Sequence, residues 1–369
     1  MDRFLERIIV EDLKKKLVIL VGPRQVGKTW LAKKIMPHYK RPLYLNYDNQ
    51  KDKTIITNQS WLHSTDLLIF DELHKMPQWK NYMKGVYDTR PESLHILLTE
   101  SARLGTFRHN GDSLLGPFFI HHLLPFCPSE IKDMPLDKFL ERGGFPEPIL
   151  AESPIDAKRW RNQYLEGIIR DDILDFENVH NFKTLKTLLE MLRQRVGSPL
   201  SFNSVAKDLQ VAPNTVKKYI GIFESLFIIF RITPYSKNIA RSLLKEPKIY
   251  FFDTGLVKGD DGLRFENLAA VSLLKHCYTS KDVIGENHYL HYLRTKDGRE
   301  VDFCIVDDDR ISYIAEAKLQ DGQSSKSLHY FKEKYDLKAV QLTAYLRNEY
   351  IKDGIEIVNG ERFLRELYS

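Results

Sequence analysis

A glycine-bearing octapeptide near the start of the chain has the residue types and spacing of a phosphate-binding loop, Gly-x-x-x-x-Gly-Lys-Thr. Its members are Gly22, Pro23, Arg24, Gln25, Val26, Gly27, Lys28 and Thr29. An apolar run over residues 17–21 leads into the loop and a helix-forming run over 30–35 leaves it, which is the context that such a loop requires. Backbone N–H groups of the loop attract anions, Lys28 can reach the β- and γ-phosphates, and Thr29 offers its hydroxyl to Mg²⁺. The sequence therefore predicts a site for a nucleoside triphosphate with Mg²⁺.

An acidic pair follows the apolar run over residues 67–70. Asp71, at the end of a buried strand, can hold the Mg²⁺ shell. Glu72 comes one residue later and points differently, so it can orient or activate a water molecule. The same pair would also suit the first turn of a helix, close to the positive end of its dipole. We favour the catalytic interpretation because the phosphate-binding loop lies upstream.

The end of a third apolar run, residues 94–98, supplies another candidate. Thr99 would sense the γ-phosphate if its strand lies between the strand of the loop and the strand of Asp71; a plain turn is the alternative. Lys28, Glu72 and Thr99 are thus the predicted catalytic residues. Four arginines could complete the site, and the sequence does not choose among them: Arg24, Arg90, Arg103 and Arg108.

Strand-like and helix-like patterns alternate through the first 130 residues. The candidate strands are 17–21, 43–47, 66–70, 94–98 and 117–124. Their near-continuous apolar character predicts burial on both faces, and hence an α/β domain with a parallel sheet covered by helices.

Bulk composition sets broad limits. A chain of 369 residues predicts two or three domains, and 43% hydrophobic with 28% charged residues is typical of a soluble globular protein. No apolar stretch reaches the roughly 18–20 residues that span a bilayer, so we expect no membrane association. The start of the chain has no secretory pattern, and the three cysteines match no zinc spacing. A reducing, cytoplasmic location fits best.

The middle of the chain is basic. Residues 158–248 contain 16 Lys and Arg against nine Asp and Glu. Within them, 201–226 has the pattern of a helix-turn-helix, and the runs 227–232 and 248–252 could form the wing of a winged helix. A reader of DNA would present its second helix to the major groove with the following residues: Asn214, Thr215, Lys217 and Lys218. A structural or regulatory role for the same module remains open.

The motifs together resemble a known family. Residues 22–29, Tyr44-Leu45-Asn46, 69–75 and 98–101 are similar to the prokaryotic AAA-type ATPases (AAA_14) that end in the domain DUF4143. The resemblance extends through 143–148 and Arg170-Asp171 to Glu266-Asn267, 300–303 and 316–318, and it implies ATP as the nucleotide. The family usually has glycine where this chain has Glu100. A carboxylate there would disfavour a triphosphate unless it points away or meets a basic group.

The C-terminal motifs resemble a restriction-endonuclease-like core. The resemblance assigns Asp302, Glu316 and Lys318 to its site, with Glu266 as an acid on a helix. Glu316 and Lys318 lie two apart on a predicted strand and share a face, so Asp302 and Glu316 could share a divalent ion beside Lys318. Alternating charges on a solvated strand are the other interpretation, and a nuclease-like platform without activity is a third. Lys296-Asp297-Gly298 predicts a hairpin with a primed turn.

Three parts follow: a P-loop ATPase domain over 1–135, a helical and winged-helix connector over 136–250, and a small restriction-endonuclease-like α/β domain over 251–369. The favoured function is an ATP-binding, ATP-hydrolysing switch coupled to DNA through the winged helix and the nuclease-like domain. Two alternatives stay open, an ATP-dependent DNA nuclease and a nucleotide-regulated binding module without hydrolysis. The sequence leaves oligomerisation open.

Overall fold

The computed structural model describes residues 3–101, 118–172, 181–236, 246–320 and 324–367, in two compact units, residues 1–124 and 125–369. Arg103 and Arg108, two of the candidate arginines, lie outside the described residues. The division into three parts stays a prediction. Within the described residues, no helix has both the length and the apolar character needed to cross a bilayer.

The first unit is a five-stranded parallel sheet covered by helices, which confirms the predicted α/β class. Its strands are β1 (Leu17–Gly22), β2 (Pro42–Asn46), β3 (Leu67–Asp71), β4 (His95–Ser101) and β5 (Phe118–His122). Its helices are α1 (Leu5–Leu13), α2 (Lys28–Ile35), α3 (Gln50–Asn58) and α4 (Trp79–Thr89). The strand order is β2-β3-β4-β1-β5, so β4 lies between β1 and β3 as predicted.

Burial of the strands on both faces accounts for the parallel arrangement of this sheet. Every residue of β1 and β3 is buried, because helices cover both faces of a parallel sheet. On one face, α4 buries Trp79, Met83 and Val86, at helical spacing, against the apolar side chains of the strands. In the parallel register Asp71 lies opposite Thr99 and Gly22 opposite Ser101. The polar ends of β1, β3 and β4 are therefore side by side at one edge.

The second unit begins with helices. They are α5 (Leu136–Arg142), α6 (Pro146–Leu150), α7 (Pro154–Gly167), α8 (Phe182–Arg193), α9 (Phe202–Leu209) and α10 (Pro213–Ser225). The Ser201 hydroxyl caps α9, and Gln210 ends it in the left-handed region before Pro213 opens α10. Two antiparallel strands follow, β6 (Ile229–Ile232) and β7 (Lys248–Phe251).

A six-stranded mixed sheet completes the second unit in the order β12-β13-β11-β10-β9-β8. Its strands are β8 (His288–Arg294), β9 (Glu300–Asp307), β10 (Arg310–Lys318), β11 (Ala339–Thr343), β12 (Tyr350–Lys352) and β13 (Ile355–Asn359). The accompanying helices are α11 (Asp261–Thr279), α12 (Lys326–Tyr335) and α13 (Gly360–Glu366). Strands β8, β9 and β10 pair antiparallel, whereas β10, β11 and β13 pair parallel.

The prediction of a primed turn between β8 and β9 is wrong. The Gly298 N–H donates to the Thr295 carbonyl at 3.2 Å, and the Thr295 N–H donates to the Arg299 carbonyl at 2.9 Å. Only Gly298 has a positive φ, 87°, within the turn, whereas a type I′ turn needs two such residues. The chain therefore closes a longer loop with one left-handed glycine.

Candidate nucleotide-binding site and C-terminal carboxylates

The phosphate-binding loop joins the end of β1 to the start of α2. Gln25 and Gly27 adopt positive φ values of 59° and 101°, which turns the chain back toward the helix. Gly27 has no side chain with which to cap α2, so the first N–H groups of the helix remain for an anion. A Cβ at Gly22 would lie 2.1 Å from the Leu123 carbonyl oxygen, so only glycine fits there. The loop has the form that a phosphate chain requires.

Lys28 lies folded over the loop. Its ammonium donates to the carbonyls of Gly22 at 2.9 Å and Pro23 at 2.5 Å. Burial lowers the pKa of Lys28 to about 8, an effect that the charges of Glu72 and Asp71 oppose and the nearby Arg24 reinforces. A buried ammonium among carbonyls is well placed to exchange them for phosphate oxygens.

Asp71 is the centre of the polar edge. One carboxylate oxygen accepts from the Thr29 hydroxyl at 2.8 Å and from the Tyr44 hydroxyl at 2.5 Å, and the other accepts from the Thr99 hydroxyl. Thr29 and Asp71 thus bring together the hard oxygen ligands that Mg²⁺ prefers, and substrate phosphates usually complete such a site. The residues present fit the ion. Thr99 joins this cluster through Asp71, as a residue in the predicted position would.

Tyr44 was not assigned a role from the sequence. It contacts Asp71 because β2 pairs with β3 in a register that sets Asn46 opposite Asp71. Burial, and then the hydrogen bond to Asp71, raise the pKa of the Tyr44 hydroxyl above its usual value, so it stays a donor. A tyrosine two residues before the end of the strand was the available signal.

Glu72 leaves β3 in the left-handed region, with a φ of 58°, and its carboxylate has partners other than those of Asp71. The Ser101 hydroxyl donates to one oxygen at 2.6 Å, while His74 Nε2 and Lys75 Nζ lie 3.6 and 3.5 Å from the other. The side chain makes no capping hydrogen bond to the short 3₁₀ turn that follows in this described segment. It is held as a separate carboxylate, beside rather than within the Asp71 cluster.

Glu100 points to the other face of the sheet from Thr99 and Ser101, because alternate residues of a strand face opposite ways. It is only 3% exposed, and one carboxylate oxygen has no hydrogen-bond partner among the described residues. Burial raises the pKa of Glu100 to about 8; Lys80 and Lys28 oppose the shift, and Glu72 adds to it. The side chain is therefore mostly neutral at pH 7 and adds little negative charge near a triphosphate.

Arg3, which no sequence motif marks, braces the loop. Its buried guanidinium donates to the Val26 carbonyl at 2.9 Å and to the Leu124 carbonyl at 3.1 Å. Of the candidate arginines, Arg24 is half-buried within the loop, and Arg90 donates to the Tyr87 carbonyl and stacks over its ring. Arg90 thus has a structural contact of its own.

The four residues proposed to contact DNA lie at the start of α10. Asn214, Lys217 and Lys218 are exposed and Thr215 is half-buried, while Val216 and Ile220 face the interior. The exposed face is polar and basic, which is what a groove contact requires but also what any solvated helix presents.

The C-terminal carboxylates surround a lysine that the sequence did not single out. Lys248 is 1% exposed, and its ammonium lies 2.8 Å from Glu300, 3.0 Å from Asp302 and 3.7 Å from Glu266. Burial alone would lower the pKa of Lys248, but the three carboxylates together raise it above its usual value. A lysine at the start of the buried run of β7 was the signal for this ion cluster.

The other two residues form a neighbouring pair. Lys318 Nζ lies 2.6 Å from Glu316, and the Ala317 N–H donates to Asp302 at 3.2 Å. Burial, and then the charge of Asp302, raise the pKa of Glu266 to about 7. In the described part of the chain, no group of three or more His, Cys, Asp or Glu side chains is arranged to hold a metal ion. The structure brings the four predicted residues into one region, and the Lys248 ammonium lies against two of them, Asp302 and Glu266, which opposes a divalent ion at those carboxylates.

Known proteins match this chain in three consecutive segments. Residues 14–132 match the model described as AAA domain (AAA_14), 134–263 match a domain of unknown function (DUF8612), and 261–363 match a domain of unknown function (DUF4143). A protein of Mycobacterium tuberculosis described as uncharacterized is 24% identical over 297 residues, covering 78% of this chain and 67% of its own. One of Haemophilus influenzae, also described as uncharacterized, is 24% identical over 399 residues, covering 97% and 96%. Among solved structures, a Walker-type ATPase of Pyrococcus abyssi covers 71% of this chain and 95% of its own, with 14% identity and a TM-score of 0.45.

Glu100→Gln tests the burial of this carboxyl. Folding raises its pKa from an ordinary value of 4.5 to about 8, so the folded chain keeps a proton that the unfolded chain loses in this window. Stability from this group falls as the pH rises from 4.5 to 8. We expect the variant to gain stability over the wild type by up to about 1.4 kcal/mol per pH unit across that window, measured by urea unfolding at several pH values. Glu92→Gln, at an exposed site, should track the wild type; a pH-independent difference for Glu100→Gln would contradict the assignment.

Proposed function

We propose that this chain, whose residues 14–132 match the AAA-domain model and whose residues 261–363 match the DUF4143 model, binds ATP with Mg²⁺ and hydrolyses it to ADP and phosphate. The observation that carries the proposal is the contact of 2.8 Å between Thr29 and Asp71, at the mouth of a loop whose helix start is uncapped. The loop with its hydroxyl and the carboxylate come from two separate segments, 42 residues apart at this contact, and a purely structural turn would not need them to meet.

Each residue has a distinct role in this proposal. Lys28 exchanges its two carbonyl partners for phosphate oxygens, and the loop N–H groups bind the same anion. Bound Mg²⁺ supplies charge stabilisation for the phosphates. Tyr44 and Thr99 hold the Asp71 carboxylate in one orientation. Once Glu72 is released from its hydrogen bond with Ser101, its carboxylate accepts a proton from the water that attacks the γ-phosphorus. The bond between that phosphorus and the bridging oxygen breaks, and ADP leaves.

Two substitutions separate binding from hydrolysis. Lys28→Ala should weaken ATP binding roughly 10- to 100-fold, because a charged hydrogen-bond donor is lost. Glu72→Gln should keep the affinity and lower kcat about 10²- to 10⁴-fold, because the general base is lost. Binding is measured by calorimetry with MgATP and turnover by phosphate release.

Glu11→Gln, at an exposed position of α1, is the matched control and should leave both quantities unchanged. Equal turnover in the wild type, Lys28→Ala and Glu72→Gln would refute the ATPase. Binding without turnover in the wild type would favour the alternative of a nucleotide-regulated binding module without hydrolysis.

We further propose that the nucleotide state is coupled to duplex DNA through α10, acting as the recognition helix of a winged helix. Three observations support it: the turn at Gln210, the exposed Lys217 and Lys218, and the antiparallel pair of β6 and β7 after the helix. The net positive charge of residues 158–248 would favour association with a polyanion.

The alternative of an ATP-dependent nuclease rests on the grouping of Glu266, Asp302, Glu316 and Lys318. The pair of Glu316 and Lys318 favours it, and the ammonium of Lys248 among the other carboxylates opposes it. We therefore favour a nuclease-like platform that does not cleave.

Gel shifts with duplex DNA over a range of salt test both ideas. Replacing Lys217 and Lys218 with alanine should lower affinity and reduce the slope of log K against log salt by about 1–2, since each phosphate contact contributes about 0.9. Replacing Lys183 and Lys186 on α8 is the matched control and should leave the slope unchanged. The duplex should stay intact with Mg²⁺ and ATP; cleavage that disappears in Glu316→Ala would instead establish the nuclease.

A further inference from the structure

A cavity of about 800 Å³ lies in the second unit, formed by four segments of the chain. The hairpin between β8 and β9 and the turn between β9 and β10 form two walls, α12 forms a third, and Tyr235 closes the fourth. Its volume lies within the roughly 300–1,000 Å³ typical of ligand sites. The described residues that line it include none of the C-terminal carboxylates or lysines discussed above, so this is a separate site.

The floor of the cavity is apolar and fixed. Leu293 and Phe331 are buried and belong to the hydrophobic cluster of the C-terminal sheet, and Ile311 and Leu337 pack against the same cluster. A floor built from two strands and a helix holds its shape without a ligand, which lowers the cost of ordering on binding.

The rim carries more positive than negative charge. The lining includes two carboxylates, Asp297 and Asp309, and four basic side chains: Arg294, Lys296, Arg310 and Lys334. Arg294 forms an ion pair with Glu300, with a guanidinium nitrogen 3.0 Å from a carboxylate oxygen. Lys296 and Arg310 are exposed and have no ion pair within the described ranges, so they remain available to an anion.

Aromatic rings form the wall beside these basic side chains. Tyr335 is 52% exposed and stacks on Phe331, with ring centres 6.1 Å apart, and the Lys334 ammonium lies 5.4 Å from the centre of the Tyr335 ring. Tyr330 lies between the Arg299 guanidinium at 4.1 Å and the Lys334 ammonium at 5.0 Å. The site thus offers a flat, accessible ring close to unpaired cations. Inorganic phosphate or an acidic peptide would use the cations alone, whereas a nucleotide uses the ring as well.

We propose that this cavity binds single-stranded nucleic acid, with a nucleobase stacked on Tyr335 and with phosphates further along the strand bound by Arg310 in one direction and by Lys296 in the other. Lys296 lies in the hairpin between β8 and β9, and Arg310 begins β10 opposite Asp307, at the other end of β9. One phosphate group therefore cannot engage both cations as well as several phosphates along a strand can. The site is independent of the ATPase and of α10.

Fluorescence anisotropy of a labelled ten-nucleotide thymidine strand, without ATP or Mg²⁺, measures this binding on the full chain. Tyr335→Ala should lower affinity about 5- to 100-fold through loss of one stacked base, and Arg310→Ala should reduce the salt slope by about 0.7. Tyr289→Ala removes an exposed ring and Lys352→Ala an exposed ammonium group from the same sheet, outside the cavity. Both variants should bind the strand with the affinity and salt slope of the wild type. Thermal melts confirm that all four variants are folded.

Three results would overturn the proposal. They are an absence of strand binding, binding that Tyr335→Ala and Arg310→Ala leave unchanged, and equal affinity for uridine monophosphate, which would replace the strand by a free nucleotide. Loss of binding in the double substitution of Lys217 and Lys218, with the cavity variants unaffected, would place the strand on α10 instead. Lys28→Ala should bind the strand with the affinity of the wild type. Failure of the ATPase proposal would therefore appear in the nucleotide assays alone, and failure of the cavity proposal in the strand-binding assay alone.

Discussion

A single buried carboxylate organises the first unit. Asp71 is 4% exposed, and a charge at that depth is tolerated only when hydrogen bonds satisfy it. Its partners come from the start of α2, the end of β2 and the end of β4. The need to satisfy this group therefore ties three segments together at one edge of the sheet, and the phosphate-binding loop gains its position from the same contacts.

The left-handed residue after Asp71 gives the site a second, independent carboxylate. Had Glu72 continued the strand, alternation would have turned it to the face of α4, where Glu100 lies. The positive φ instead brings it within reach of Ser101. In the proposed ATPase, the two adjacent acids would therefore have different roles, Asp71 holding the ion and Glu72 accepting a proton. Backbone strain of this kind is usually kept only where surrounding contacts and function require it.

The same physical requirement has a different solution in the second unit. Three carboxylates converge there, and the chain supplies its own cation, the buried ammonium of Lys248. The repulsion among the acids is balanced by three contacts with one lysine, and loss of that lysine would leave carboxylates buried without a counter-charge at the junction of β7, β9 and α11. A pattern of acids that is typical of a metal site can therefore arise from a need for charge balance.

Much of the fold could be predicted because its signals are local. The apolar runs predicted the five strands of the first unit to within a few residues. The loop motif and the acidic pair made Lys28, Thr29, Asp71 and Glu72 candidates, and the structure brings Thr29 and Asp71 into contact. The predicted type of the β8–β9 turn was wrong, because an Asp-Gly pair is compatible with loops of several lengths and the strand register selects among them. Tyr44, Ser101 and Arg3 were missed because the partners described above lie 27, 29 and at least 23 residues away. Lys248 was missed because its three carboxylate partners lie on two other elements, α11 and β9. The sequence by itself determined which segments form strands and which residues can bind a phosphate; the tertiary structure decided which side chains meet, because those contacts depend on sheet order and register between distant segments.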